Sequence, residues 1–305
     1  MAMQYVTARM RKAIAGPLPP RLRTAVWGGL SVFPHAAPWR VGYRIYTRPR
    51  RRILCHPGRP SGDQILFKLC AWNGYEIVRS PTDDYDLAFH FCRGGACGLP
   101  PDRRVLNRAC EDISKRHVAA VFAQTFGYGL SVDPTTYDGE LVCKSNANAT
   151  HDGAVLRGPL PARALDPSRV YQRLVRAEER DEAIDLRTPI YAGHVPLVYE
   201  KRRPLALRFA AKNTSVRVRE AEEVYTTEEL ALLGRFAQAM GLDFGELDVL
   251  RDRQDGRIYV VDVANTPGGP PFNIPPAEAG KAMRRLGAAF HALVENARAE
   301  RGLAR

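Results

Sequence analysis

Residues 241–269 constrain the fold more than any other stretch of the chain. Two apolar runs, 246–251 and 257–263, flank Asp255-Gly256, a dipeptide that favours the tight turn of a β-hairpin. Each run is interrupted by one aspartate, Asp248 in the first and Asp262 in the second. An antiparallel pairing puts the two on neighbouring rungs. Burying carboxylates in apolar strands is costly unless a cation or a donor compensates. Hard oxygen ligands converging from adjacent strands suit Mg²⁺, which takes one or two carboxylates plus substrate phosphates. The alternative is an aspartate pair facing solvent on an amphipathic hairpin.

Around this hairpin the pattern is α+β. Short strands are expected at 53–56, 75–79 and 86–91, with a helix at 61–72 capped by Ser61 and stopped by Asn73-Gly74. This is a small βαβ-type unit, followed by a Gly/Pro linker over 94–101. Val105-Leu106 leads through Asn107 into a helix at 110–126, closed by Gly127. Strands follow at 141–144, 154–156, 170–175, 184–191, 195–199, 205–211 and 216–218, then a helix at 227–240. A last helix, 277–299, carries its apolar residues on one face.

Charge separates the N-terminus from the rest. Residues 1–62 hold 12 Arg/Lys and no acid, which leaves 33 residues of each sign over 63–305. Eleven of those twelve lie in residues 1–52, a basic arm, so the net charge of +12 sits at the N-terminus and not on the body. For the arm the sequence leaves open a solvated extension, docking on an acidic membrane surface or acidic partner, and an organelle transit peptide. A neutral body argues against nucleic acid as the main ligand. No transmembrane or secretory segment is read, so a cytoplasmic location is expected, with the arm as a route to a membrane periphery. The six cysteines are widely spread and read as reduced, inert thiols.

The hairpin resembles the metal-binding hairpin of the ATP-grasp superfamily, as found in glutathione synthetase and D-alanine–D-alanine ligase. That pattern is an Asp on one strand, Glu-x-Asn on the next, then a Pro-Gly loop. Asp248 matches the first position, Asp262 stands where Glu is usual, and Pro267-Gly268 matches the loop. The Asn position falls on Ala264; Asn265, one residue later, is expected to take the role through a bulge. Lysine is rare here, seven against 38 arginines. Lys115 resembles the family's first phosphate-facing lysine and Lys144 the second. Ser145, Asn146 and Gly153 belong to a small-residue loop placed where the family closes over phosphates. Residues 170–175 resemble the hinge strand that holds adenine, which makes Gln172, Arg173, Leu174 and Val175 nucleotide-binding candidates, with Glu178 or Glu179 toward the ribose. Asp185-Leu-Arg187 looks like the family's Asp-x-Arg. Lys201, Arg202, Arg208 and Asn213 lie where the family supplies cations and an amide to the γ-phosphate and acyl phosphate.

The resemblance covers residues 53–300 and implies an ATP-grasp fold: a pre-ATP-grasp unit at 53–104, then an ATP-grasp domain at 105–300 hinged near 170–178. It implies ATP and Mg²⁺ as cofactors, with small carboxylate and amine substrates joined through an acyl phosphate. Asp185 goes with the nucleotide; Arg187, Arg202, Arg208 and Asn213 go with catalysis. A nucleotide-binding regulatory or scaffold protein with impaired turnover is the alternative, and a homo-oligomer is compatible with either. Competing motifs fail: in Gly139-x4-Lys144-Ser145 the glycine that must precede a P-loop lysine is Cys143.

Overall fold

The computed structural model describes residues 50–303 except 102, 103, 149 and 211, and the side chains of 300–303 are left aside. The basic arm therefore lies outside the described residues, apart from its last three arginines. Two of those are docked. Arg51 forms a two-pronged pair with Glu295, and Arg52 pairs with Glu76 and Asp84.

Three sheets and five α-helices make an α+β fold among these residues. The first sheet is parallel, in the order β2-β1-β3-β4: β1 Arg52–Pro57, β2 Glu76–Val78, β3 Leu87–Phe91 and β4 Val105–Leu106. β4 joins this sheet, so the parallel unit runs to Leu106. Helix α1, Ile65–Asn73, crosses between β1 and β2 and stops at Gly74, whose φ of 72° is the left-handed conformation glycine adopts cheaply. It begins four residues later than the expected Ser61 cap. Gln64 lies before its first turn, accepts from the Ser61 N–H and bridges to Gly268, so this segment is committed elsewhere.

Helix α2, Lys115–Phe126, likewise starts late. Ser114 caps it by accepting from the His117 N–H, while Glu111 and Asp112 pair with Gly95 and Gly94. A three-stranded antiparallel sheet follows, β6-β5-β7, from β5 Glu140–Ser145, β6 Ala154–Arg157 and β7 Arg169–Arg173.

The central sheet has the order β11-β10-β9-β12-β13, with β8 Glu178–Glu179 on one end of β9. Its strands are β9 Glu182–Tyr191, β10 Val198–Pro204, β11 Ser215–Arg219, β12 Phe244–Arg251 and β13 Ile258–Ala264. The expected strands at 195–199 and 205–211 are replaced by the single strand β10; Leu205–Leu207 is a 3-10 turn. The charged run Glu200–Arg203 is strand because β9 pairs with all of it and β11 pairs with it as far as Arg202.

Burial then divides the central sheet by face. One face, with Leu186, Val198, Leu247 and Val249, packs on α2 and on α4, Thr227–Ala239, to form one core. A capping box between Thr226 and Glu229 starts α4, while the four-residue α3, Ala221–Val224, precedes it. On the other face, Tyr191, Tyr199 and Phe244 pack at one end on the parallel sheet, α1 and α5, Pro276–Leu303. The rest of that face carries charge. No helix among the described residues is long and apolar enough to cross a membrane.

Candidate active site

An open cleft lies between the small antiparallel sheet and the charged part of the central sheet. One end is apolar, walled by Leu130, Val142, Leu174, Val175, Ala177 and Ile184. The other end holds Lys115, Lys144, Asp185, Asp248 and Asp262. This gradient follows from the strand register. β5 and the chain just after β7 offer apolar side chains to the cleft, whereas β9, β12 and β13 each offer one carboxylate, Asp185, Asp248 and Asp262.

Asp248 and Asp262 are direct register partners across β12 and β13, so they share one rung and one face. The pairing shifts by one residue immediately after Asp248, a bulge that bends the strand at the site. Their surroundings differ. Burial pushes the Asp248 carboxyl up, but Arg187 and then Lys201 outweigh it and hold it well below the usual range. The Arg187 Nε donates to Asp248 at 3.1 Å and the Lys201 Nζ at 3.3 Å. Asp262 has no such partner within ion-pair distance among the described residues. Burial, and then the Asp248 charge, raise its carboxyl above the usual range. The two therefore fit a magnesium ion as a pair of hard oxygen donors. Among the described residues no group of three His, Cys, Asp or Glu side chains could close a protein-only metal site. The remaining ligands would come from water or from a bound anion.

Lys144 points into the cleft from β5, and burial brings its ammonium down to about 8 against the pull of Asp262. Its Nζ donates to the Val261 carbonyl at 3.2 Å. Lys115, at the first turn of α2, donates to the Ala147 carbonyl, so it also holds the loop 145–153. That loop is tied down further where the Asn146 Oδ1 accepts from the Arg116 N–H and the Asn148 Nδ2 donates to the Val263 carbonyl. Gly153 lets the Phe209 ring pack against the loop, because a Cβ there would stand 2.5 Å from that ring and displace it. Ser145 and Asn146 are thus loop fasteners and do not line the cleft; Gly153 does.

The hinge candidates divide in the same way. Gln172, Leu174 and Val175 line the apolar end. Arg173 lines it too, but its guanidinium is committed to Tyr259, Asp252 and Asp255. Arg208 stands at this end as well, donating to Glu178, and not at the charged end.

Besides Ser145 and Asn146, four further sequence-based candidates do not line the cleft. Arg202 projects from the opposite face of β10, where it pairs with Glu200, Glu179 and Glu182. Glu179 is held there by the same arginine and by Arg253. Asn265 is fully buried on the far side of its strand from Asp262, donating to the Cys92 carbonyl. No bulge turns it round, and Ala264 occupies the ligand face opposite Glu246. Asn213 is buried but indirect: its Oδ1 accepts from Arg203.

Sequence reasoning passed over Arg203 and Glu246 and left Lys201 beside Arg202. Strand alternation is the signal that finds all three. Lys201 and Arg203 share the face of Asp185, to which both are paired, and Glu246 lies two residues from Asp248. Glu246 is buried, and burial brings its carboxyl up to about 7 against the pull of Arg187, 3.5 Å away.

No protein-family model matches the sequence, and no curated protein matches it. Comparison with solved structures returns ligases. D-alanine–D-alanine ligase from Bacillus anthracis, complexed with ATP, is 16% identical over 82% of this chain and 99% of its own, with a TM-score of 0.49. The ATP-grasp ligase PsnB, complexed with a phosphomimetic variant of its minimal precursor, Mg and ADP, is 17% identical with a TM-score of 0.41. That match covers 63% of this chain, which spans 62% of PsnB. The macrocyclase MdnC from Microcystis aeruginosa MRC, bound with precursor peptide MdnA, is 12% identical over 77% and 99%, with a TM-score of 0.41. The chain is similar to these ATP-grasp ligases.

Proposed function

We propose that the chain is an ATP-grasp carboxylate–amine ligase that activates its acid as an acyl phosphate. One observation carries this reading: a single cleft runs from an apolar slot to two lysines and a same-rung pair of aspartates. The slot suits a purine ring, and the charged end suits a polyphosphate with its magnesium ion. When bound, that ion would neutralise phosphate charge and polarise the γ-phosphoryl group; Asp248 and Asp262 would hold it.

The chain's own residues then position and neutralise. Lys144 and Lys115 face the phosphates with compact ammonium charges. Arg187 and Lys201 stand beside Asp248, where the substrate carboxylate would attack the γ-phosphorus and ADP would leave. An amine then adds to the acyl carbon, phosphate departs, and an amide remains. No protein nucleophile is required, and catalysis lies in orientation and in charges fixed in place.

The test is release of ADP with Mg·ATP and each of the twenty amino acids, with hydroxylamine present to trap an acyl phosphate as hydroxamate. Hydroxamate formed with at least one acid is the expected result. ATP bound without ADP or hydroxamate from any acid favours the impaired-binder reading, which Ala264 on the ligand face supports.

A pH effect follows from Lys144. Its ammonium is held near 8, below an ordinary lysine, so above pH 8 the free protein loses the proton that phosphate binding requires. ADP affinity is expected to fall by up to about tenfold per pH unit above that point, with one proton taken up on binding. Calorimetry in buffers of different ionisation enthalpy measures both. An affinity flat to pH 9.5 would count against the assignment of Lys144.

A further inference from the structure

Asp248 presents a difficulty as a metal ligand, because two cations already occupy it. Arg187 donates to Asp248 from Nε at 3.1 Å and from Nη2 at 3.4 Å, and Lys201 lies 3.3 Å away. A divalent ion beside Arg187 would be repelled at close range, and the interaction is strong where water is partly excluded. Yet a partly buried arginine cannot simply be left unpaired.

The structure offers each cation a second carboxylate. Lys201 is 3.6 Å from Asp185. Arg187 is 3.5 Å from the Oε2 of Glu246, one rung further along the same face of β12. That oxygen is buried and has no hydrogen-bond partner. Its rung neighbours give it none: Pro189 has no N–H, and Ala264 has no polar side chain. A buried carboxylate oxygen without a donor is a rare and costly feature. Only a roughly half-ångström approach separates the Arg187 Nε from hydrogen-bond length to it.

We propose that Glu246 is a positioning residue for the metal site, the counter-charge onto which Arg187 turns when Asp248 gives its oxygens to a divalent cation. The inference rests on the reading of Asp248 and Asp262 as the metal-holding pair. Glu246 lets the arginine stay buried, paired and close to the reacting phosphate in both states. A glutamate, one methylene longer than aspartate, reaches back across the rung to do so.

The experiment is Mn²⁺ binding to the full chain with ADP, read from the free-Mn²⁺ EPR signal. Glu246→Gln keeps the shape and removes the counter-charge, so Arg187 stays on Asp248 and Mn²⁺ affinity is expected to fall at least tenfold. Adding Arg187→Gln removes the competing cation and is expected to restore most of that loss. A merely structural role for Glu246 predicts no rescue, so a double variant as weak as the single overturns the proposal. Equal Mn²⁺ affinity in wild type and Glu246→Gln also overturns it, and leaves the metal reading standing. A wild type that binds ADP but no Mn²⁺ removes the metal reading and this inference together. Should Glu246→Gln not fold, Glu246→Asp is expected to weaken Mn²⁺ in the same direction, with the same rescue; no weakening there overturns the proposal.

Discussion

Asp262→Asn is expected to lower ligase turnover by roughly 10²- to 10³-fold without lowering the melting temperature. The two halves of that result have different causes. Asp262 would hold the metal, so its loss removes a fixed charge from the transition state. In the ligand-free fold, however, its carboxyl is raised by burial and by Asp248. A carboxyl whose pKa is raised on folding is disfavoured as the anion, so at pH 7 it detracts from stability, and the neutral amide relieves that. The melting temperature should therefore hold or rise at pH 7, with the gain shrinking as pH falls through the acid range. Asp248→Asn gives the opposite pattern. Its carboxyl is depressed by Arg187 and Lys201, so it contributes stability above the unfolded-state value that the amide forfeits. Breaking a partly buried pair costs on the order of 3 kcal/mol, or roughly 5–10 °C for a chain of this size. Retention of Glu246 and Asp185 beside the two cations limits the loss. Scanning calorimetry and an ADP-release assay on both variants decide it. Equal melting-temperature losses, or turnover unchanged in Asp262→Asn, would contradict the division of roles.

The sequence carried the hairpin well because its signal is local. The Asp255-Gly256 turn and two flanking apolar runs require only neighbours, and the pairing of Asp248 with Asp262 follows. Gly74 and Gly127 likewise end their helices through backbone geometry alone. What escaped was tertiary. The starts of α1 and α2 were misplaced because Gln64 and Asp112 are taken by bridges to Gly268 and Gly94, far away in sequence. Strand β10 was misread because an Arg/Lys/Glu run has the composition of a surface loop. It is strand because the cleft face of this sheet is itself charged.

The errors within the site share one origin. Arg202, named with Lys201 in place of Arg203, and Asn265, named in place of Ala264, each lie one residue off the cleft face, and one residue in a strand is a change of face. Only the observed register settles which parity looks inward. Glu246 was legible by the same rule, two residues before Asp248, but its importance depends on Arg187 arriving from β9.

Lys144→Ala is expected to remove most of the thermal shift that Mg·ATP produces, while leaving the ligand-free protein at least as stable. Lys144 has a neutral carbonyl as its hydrogen-bond acceptor and no carboxylate within ion-pair distance among the described residues. Burial already pulls its ammonium down to about 8, so the fold gains little from this charge before a ligand supplies an anion. Lys201 is the contrast, since Asp248 and Asp185 compensate it and its loss should destabilise the ligand-free protein. At a nucleotide concentration of 100 times Kd, a ligand that binds only the folded state adds about 2.7 kcal/mol, roughly 5–10 °C here. A charge-assisted hydrogen bond contributes about 1.5–3 kcal/mol, so losing it weakens binding by roughly 10- to 150-fold. At the same nucleotide concentration, a 100-fold loss leaves about 0.4 kcal/mol of stabilisation, a shift near the limit of measurement. A full shift retained in Lys144→Ala would place the phosphates away from β5, and the nucleotide would then have to enter the cleft in another orientation.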